Sequence, residues 1–243
     1  YINALSAPTA EGILFETDLR LRPSGAKGPL ATHFKSFEAY QNNDAWTWEH
    51  MALTRIRPVY GPTALCEKVI ATTNAILCKE RDPNQLVREV FDMRNRMDAG
   101  KGDNHPWAIK MRRGGLVDLE FIAQYLQLRH AHKHPDILSP TTREVFKNLG
   151  TKGILDNEEA EFLGNAGSFW LALQAMLRLT TEGPFSPESA STDLQKMLAS
   201  AGKCDDFASL QDKIETTATR IKEIYDREIA EPAQQVTPPE ETQ

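Results

Sequence analysis

Polar and apolar residues alternate over residues 13–23, ILFETDLRLRP, and this period of two predicts a strand. Phe15, Thr17, Leu19 and Leu21 then face one side, and Glu16, Asp18, Arg20 and Arg22 the other. The first face suits a core. The second is costly to bury without partners and must meet water, ions or a ligand. Pro23 ends the strand, and PSGAKGPL follows as a glycine-bearing loop. SFEAYQNN and AWTWEHMAL read as helices, and TRIRPVYG as a second strand with Arg55 and Arg57 on one face, opposite Thr54 and Ile56.

Beyond Pro62 the period changes to that of helices. Helical spacing covers residues 64–78, then a Pro-initiated stretch from 82 to about 99, then 115–132 with Leu116, Leu119, Ile122, Ala123 and Leu126 on one stripe. Further helices fit 140–150, 157–181, 187–201 and 205–230. The last stretch, PAQQVTPPEETQ, is polar and Pro-rich and predicts a disordered tail. The pattern divides the chain into residues 1–62, the end of an α/β domain, 63–231, an α-helical bundle, and 232–243, the tail. The expected fold class is α+β, mostly α. YINAL reads as the last turn of an amphipathic helix, which makes the chain a piece of something longer.

Composition narrows the function classes. A chain of 243 residues with 40% hydrophobic content can bury a sizeable core. Its net charge of -6 argues against nonspecific nucleic-acid binding. Cys66, Cys78 and Cys204 form no CxxC and read as reduced thiols of a cytoplasmic protein. No apolar run reaches the roughly 20 residues of a membrane helix.

Four groups could carry chemistry. Asp18, beside arginines and a Pro-Ser-Gly loop, could ligate Mg²⁺ for phosphoryl or nucleotidyl transfer, or belong to a solvated row of surface ion pairs. Arg20, Arg22, Arg55 and Arg57 could clamp a triphosphate with their planar forks, or be ordinary surface charge. KMRRGG, residues 110–115, could hold an anion at a helix start, although it does not fit a Walker A pattern. His130, His132 and His134 suggest a metal site but lack the acid or thiol partner of a zinc centre. Trp46, Trp48, Phe37 and Tyr40 read as core rather than as a stacking platform.

FETDLRLRPSGAKGPL, SFEAYQNNDAWTWEHMALTRIRPVYG and RGGLVDLEFIAQYLQLRHA resemble the glutamine synthetase adenylyltransferase/deadenylase family, in that family's order and spacing. The resemblance covers residues 1 to about 180 well and runs more loosely to about 230. It implies a C-terminal remnant of a polymerase-β-like nucleotidyltransferase domain followed by the helical bundle. The wording LRPSG and AWTWEHMAL is that of the C-terminal half, which adds AMP from ATP to a tyrosine of glutamine synthetase under PII-type nitrogen signalling.

On this resemblance Asp18 matches the third carboxylate of a two-metal Mg²⁺ site, whose other two come from a GSDxD motif. Arg20 and Arg22 lie along the same cleft wall, and Gly114, Gly115, Asp118 and Glu120 match a hallmark segment expected to face the cleft. No GSDxD occurs in the chain, so the piece alone is expected to be inactive. Ala108 stands where the family usually has an acid. The rival reading is a docking module for glutamine synthetase or PII. A PII uridylyltransferase relative shares the helical domain type, but the AWTWEH wording disfavours it.

Overall fold

A computed structural model of the chain describes Ala4 and residues 7–12, 22–101, 105–181 and 183–236. Among them the helical periods become ten α-helices: α1 Phe34–Asn43, α2 Thr47–Leu53, α3 Thr63–Leu77, α4 Pro83–Lys101, α5 Leu116–His130, α6 Thr142–Thr151, α7 Asn157–Thr180, α8 Thr192–Ala201, α9 Phe207–Tyr225 and α10 Glu231–Gln235. The structure is mostly helical (68%), in keeping with a mostly-α class. The strand expected over 13–23 lies, but for its last two residues, outside the described residues.

Local chemistry sets the helix starts. The Asp82 carboxylate accepts from the Asn84 N–H at 2.8 Å, just ahead of Pro83 at the first helical position of α4. Asp156, Ser191 and Asp206 cap α7, α8 and α9 in the same way. Trp46, ahead of α2, has no side-chain oxygen to offer. The Glu49 carboxylate instead reaches back to the Trp46 N–H at 3.0 Å, half of a capping box.

At the centre of the bundle lies α5, in contact with α2, α4, α6, α7 and α9. It is buried on nearly every side, including Val117, Leu119, Ile122, Tyr125, Leu126 and Leu128. A helix with no solvated face belongs in the middle of a bundle. Around it, α6 and α7 form an antiparallel hairpin in which a Cβ on Gly150 would come within 2.8 Å of the Ala160 methyl. Trp107, before α5, stacks on Phe207 with ring centroids 5.4 Å apart and lies 4.5 Å from Phe185. That cluster pins the loop leading into α5.

Two expectations change. Residues 54–61 form no strand. The Arg55 and Ile56 N–H groups donate to Ala52 and Leu53, closing a turn at the end of α2, and Val59 and Tyr60 stand exposed. Alternation cannot make a strand without a neighbour to pair its backbone, and no described segment supplies one. Arg55 and Arg57 therefore share no strand face.

The stretch read as a tail begins inside the fold. From α9 the chain passes through a π turn, Asp226–Ala230, into α10, where Ala233 is buried and the Val236 carbonyl accepts from Arg88 at 2.8 Å. The wider turn lets the helix continue up to Pro232, whose ring and missing N–H would break a regular α-helix. Residues 237–243 lie outside the described residues.

Candidate functional site

A cleft of about 290 Å³ opens where α1, α2 and the loop before them meet. Phe37, Trp48, Ala52, Leu53 and Ile56 form its apolar walls, and Arg22, Gln41, Glu49 and Arg55 bring polar groups to it. Arg22 donates from Nε and Nη2 to the Gly28 carbonyl at 3.3 Å and so closes the Pro-Ser-Gly loop over itself. Ser24 and Gly25 supply the left-handed backbone that this tight loop needs. Arg55 pairs with Glu120 of α5 at 2.5 Å. Glu49 accepts from the Tyr40 hydroxyl at 2.8 Å and clips α1 to α2, and burial with that carboxylate raises the Tyr40 pKa.

The sequence-predicted residues separate. Arg22 and Arg55 come together at one cleft. Arg57 is exposed on the chain leaving α2 and does not line it. Asp18 and Arg20 lie outside the described residues. Trp48, read as core, is a cleft wall at 38% exposure, and Trp46 is 70% exposed. Gln41 and Glu49 were not singled out. The available signal for Gln41 is its place one turn after Phe37, an amide on an otherwise apolar stripe.

The double-glycine segment divides as well. Asp118 does not face the cleft. It is fully buried, accepting from Arg94 Nε at 2.5 Å and from the Gly114 N–H at 2.6 Å. Arg94, also fully buried, donates further to the Met111 carbonyl at 3.1 Å and to Asp98 at 3.3 Å. Glu120, two residues along, is the carboxylate that reaches the cleft arginine.

The anion reading of KMRRGG fails on hydrogen bonds. The N–H groups of Gly115, Leu116 and Val117 donate to Arg112, Ile109 and Lys110, and that of Gly114 to Asp118. Arg112 forks onto Glu215 at 3.1 and 2.8 Å, and Arg113 pairs with Asp98 at 3.2 Å. The amides of Gly114 to Val117 are thus already satisfied within the protein.

Among the described residues no three His, Cys, Asp or Glu side chains form a metal-binding group, so these residues do not by themselves fit a Mg²⁺ centre. No helix among them is long and apolar enough to cross a membrane.

A family model described as glutamate-ammonia ligase adenylyltransferase matches residues 1–72, and one described as GlnD PII-uridylyltransferase matches residues 89–228. The bifunctional glutamine synthetase adenylyltransferase/adenylyl-removing enzyme of Bradyrhizobium diazoefficiens is 42% identical over 224 residues, 92% of this chain. Its counterparts in Xanthobacter autotrophicus and Rhodopseudomonas palustris are 40% and 39% identical over 226 residues, 93% of the chain. The chain belongs to the glutamine synthetase adenylyltransferase family.

It spans 22% of the length of the Bradyrhizobium relative and 23% of the other two. The uridylyltransferase match is confined to the helical part, whereas identity to the adenylyltransferases runs through both parts. The cleft falls within the segment matched by the glutamate-ammonia ligase model, and the buried Arg94–Asp118 node falls within the other.

Proposed function

We propose that the chain is part of an enzyme that transfers AMP from ATP to a tyrosine of glutamine synthetase, and that it comes from the C-terminal, adenylyl-adding half. The tyrosine oxygen bonds to the α-phosphorus, the bond from that phosphorus to the β-phosphate oxygen breaks, and pyrophosphate leaves with the phenolic proton passing to solvent. Asp18 would be one of three carboxylates holding Mg²⁺, with the other two in a GSDxD motif that these 243 residues do not contain. Arg20, Arg22 and Arg55 would serve the phosphates. On this reading residues 1–62 close a nucleotidyltransferase domain, residues 63–231 are its helical partner, and the enzyme works in the cytoplasm under PII control.

The observation that carries the reading is the convergence of Arg22 and Arg55 on one cleft in a chain 42% identical to such an enzyme. The test is transfer of label from [α-³²P]ATP to glutamine synthetase. A chain extended to include its GSDxD should label it, and Asp18→Asn should abolish labelling while the melting temperature holds. Labelling by residues 1–243 alone would refute the claim that this piece lacks a complete site.

A second reading, a docking module for glutamine synthetase or PII, draws on α7, where Leu171 and Leu179 stand 55% and 83% exposed on one face. Capture of glutamine synthetase by residues 1–243, lost in a Leu171→Ser, Leu179→Ser variant, would favour it.

A further inference from the structure

Gln41 is an unusual residue for the inner side of α1. It is only 6% exposed, and its Oε1 is buried without a hydrogen-bond partner among the described residues. A buried acceptor of this kind is unfavourable until something supplies it with a donor. The backbone at this point is fixed, because the Gln41 carbonyl accepts from His50 Nε2 at 2.9 Å. The side chain lines the cleft and is left to recognise what enters it.

The surroundings narrow the ligand. Phe37, Trp48, Leu53 and Ile56 make a greasy slot, with an indole among its wall residues. Its 290 Å³ lies near the small end of ligand pockets, about 300–1,000 Å³, and suits a heterocycle rather than a whole nucleotide. Arg22 and Arg55 also line it, where phosphates attached to that heterocycle can reach them. The Glu49 carboxylate is already occupied by Tyr40 and the Trp46 N–H, which leaves Gln41 as the hydrogen-bonding reader.

We propose that this cleft seats the adenine ring, with Gln41 reading the base edge and Trp48 stacking on its face. The inference rests on the adenylyl-transfer reading and deepens it. A carboxamide sets one acceptor beside one donor. Adenine answers with its N6 amino group and N7, whereas guanine presents two acceptors, O6 and N7, and leaves the amide oxygen facing an acceptor. A rotation about the terminal amide torsion, which is broad, brings both ends of Gln41 to the base. Stacking on an aromatic side chain holds any base and does not discriminate among bases. Selectivity therefore falls to Gln41.

The experiment compares [α-³²P]ATP with [α-³²P]GTP as donors to glutamine synthetase, using the full-length enzyme. Gln41→Leu keeps the volume and removes the unpaired amide, and Gln41→Glu keeps the shape and replaces the donor by a second acceptor. In both, kcat/KM for ATP should fall by about 10- to 100-fold with GTP unchanged, collapsing the preference for ATP. Either variant that melts like the wild type and retains the ATP-to-GTP ratio overturns the proposal. The same assay separates the two readings: if the wild-type enzyme labels no glutamine synthetase from either donor, the transfer reading fails, and if it labels from ATP while Gln41→Leu keeps the ATP-to-GTP ratio, only the base site does.

Discussion

Asp118 and Glu120 stand two residues apart in one motif and answer to different physics. Asp118 is buried with Arg94 and the Gly114 N–H, so removing its charge leaves a buried arginine with only the longer, partly exposed pairing to Asp98. Asp118→Ala should cost about 3–5 kcal/mol of stability, measured by urea unfolding. Glu120 pairs with an Arg55 that is 47% exposed, where solvent screens the attraction. Glu120→Gln should cost less than about 1 kcal/mol in the same assay. Equal losses would contradict the division of the motif into a buried clasp and a cleft contact.

His130 gives a residue-scale prediction in pH. Burial, and then the neighbouring charges of Arg129, His134 and His132, lower its pKa from the ordinary 6.5 to about 4. Between those values the unfolded chain binds the proton and the folded chain does not, so stability falls as pH drops from 6.5 toward 4. Unfolding midpoints at pH 7 and pH 5 should differ more for the wild type than for His130→Gln. An unchanged difference would show that other groups carry the acid sensitivity.

At the scale of elements, the turn into α5 depends on a glycine. Gly114 has φ +74°, and a Cβ there would lie 1.8 Å from the Ala218 carbonyl oxygen of α9. Gly114→Ala must therefore strain the backbone and push α9 away from α5. We expect a loss of more than about 2 kcal/mol in thermal or urea unfolding, well above the roughly 1 kcal/mol typical of single substitutions.

Helix positions were legible along the sequence because a 3.6-residue apolar period is a local property that burial then enforces. The TRIRPVYG alternation misled because strand pairing depends on a neighbour elsewhere in the chain. Pro232 was read as an end, yet a π turn carries the helix up to it, and that turn is held by contacts to α4 that no local pattern reports. Arg94, on the apolar stripe of α4 with Val87 and Val90, was the kind of mismatch that signals a buried partner.

At the scale of the molecule, the two parts proposed from the sequence are joined by more than a linker. Met51 and Leu53 of α2 enter the same core as Ile76, Leu86 and Ile122, so the cleft wall rests directly on the bundle. The C-terminal end is tied in likewise, through Ala233, Val236 and the bond from Arg88. Shortening the chain after Ala230 should lower stability by about 1–3 kcal/mol and speed amide exchange in α4, where a disordered tail would leave both unchanged.

The sequence alone determined the succession of helices, the start beside Asp82 and Pro83, and the family, because periodicity and long motifs are written in neighbouring residues. The helix expected over 187–201 begins only at Thr192, after a separate turn at Pro187–Ser189. Tertiary structure decided that Asp118 turns inward while Glu120 reaches Arg55, that Trp48 lines a cleft, and that Gln41 is buried with an unmade bond. Those outcomes depend on which surfaces meet across 10 to 100 residues or more, as Arg112 meets Glu215, and no local period encodes that meeting.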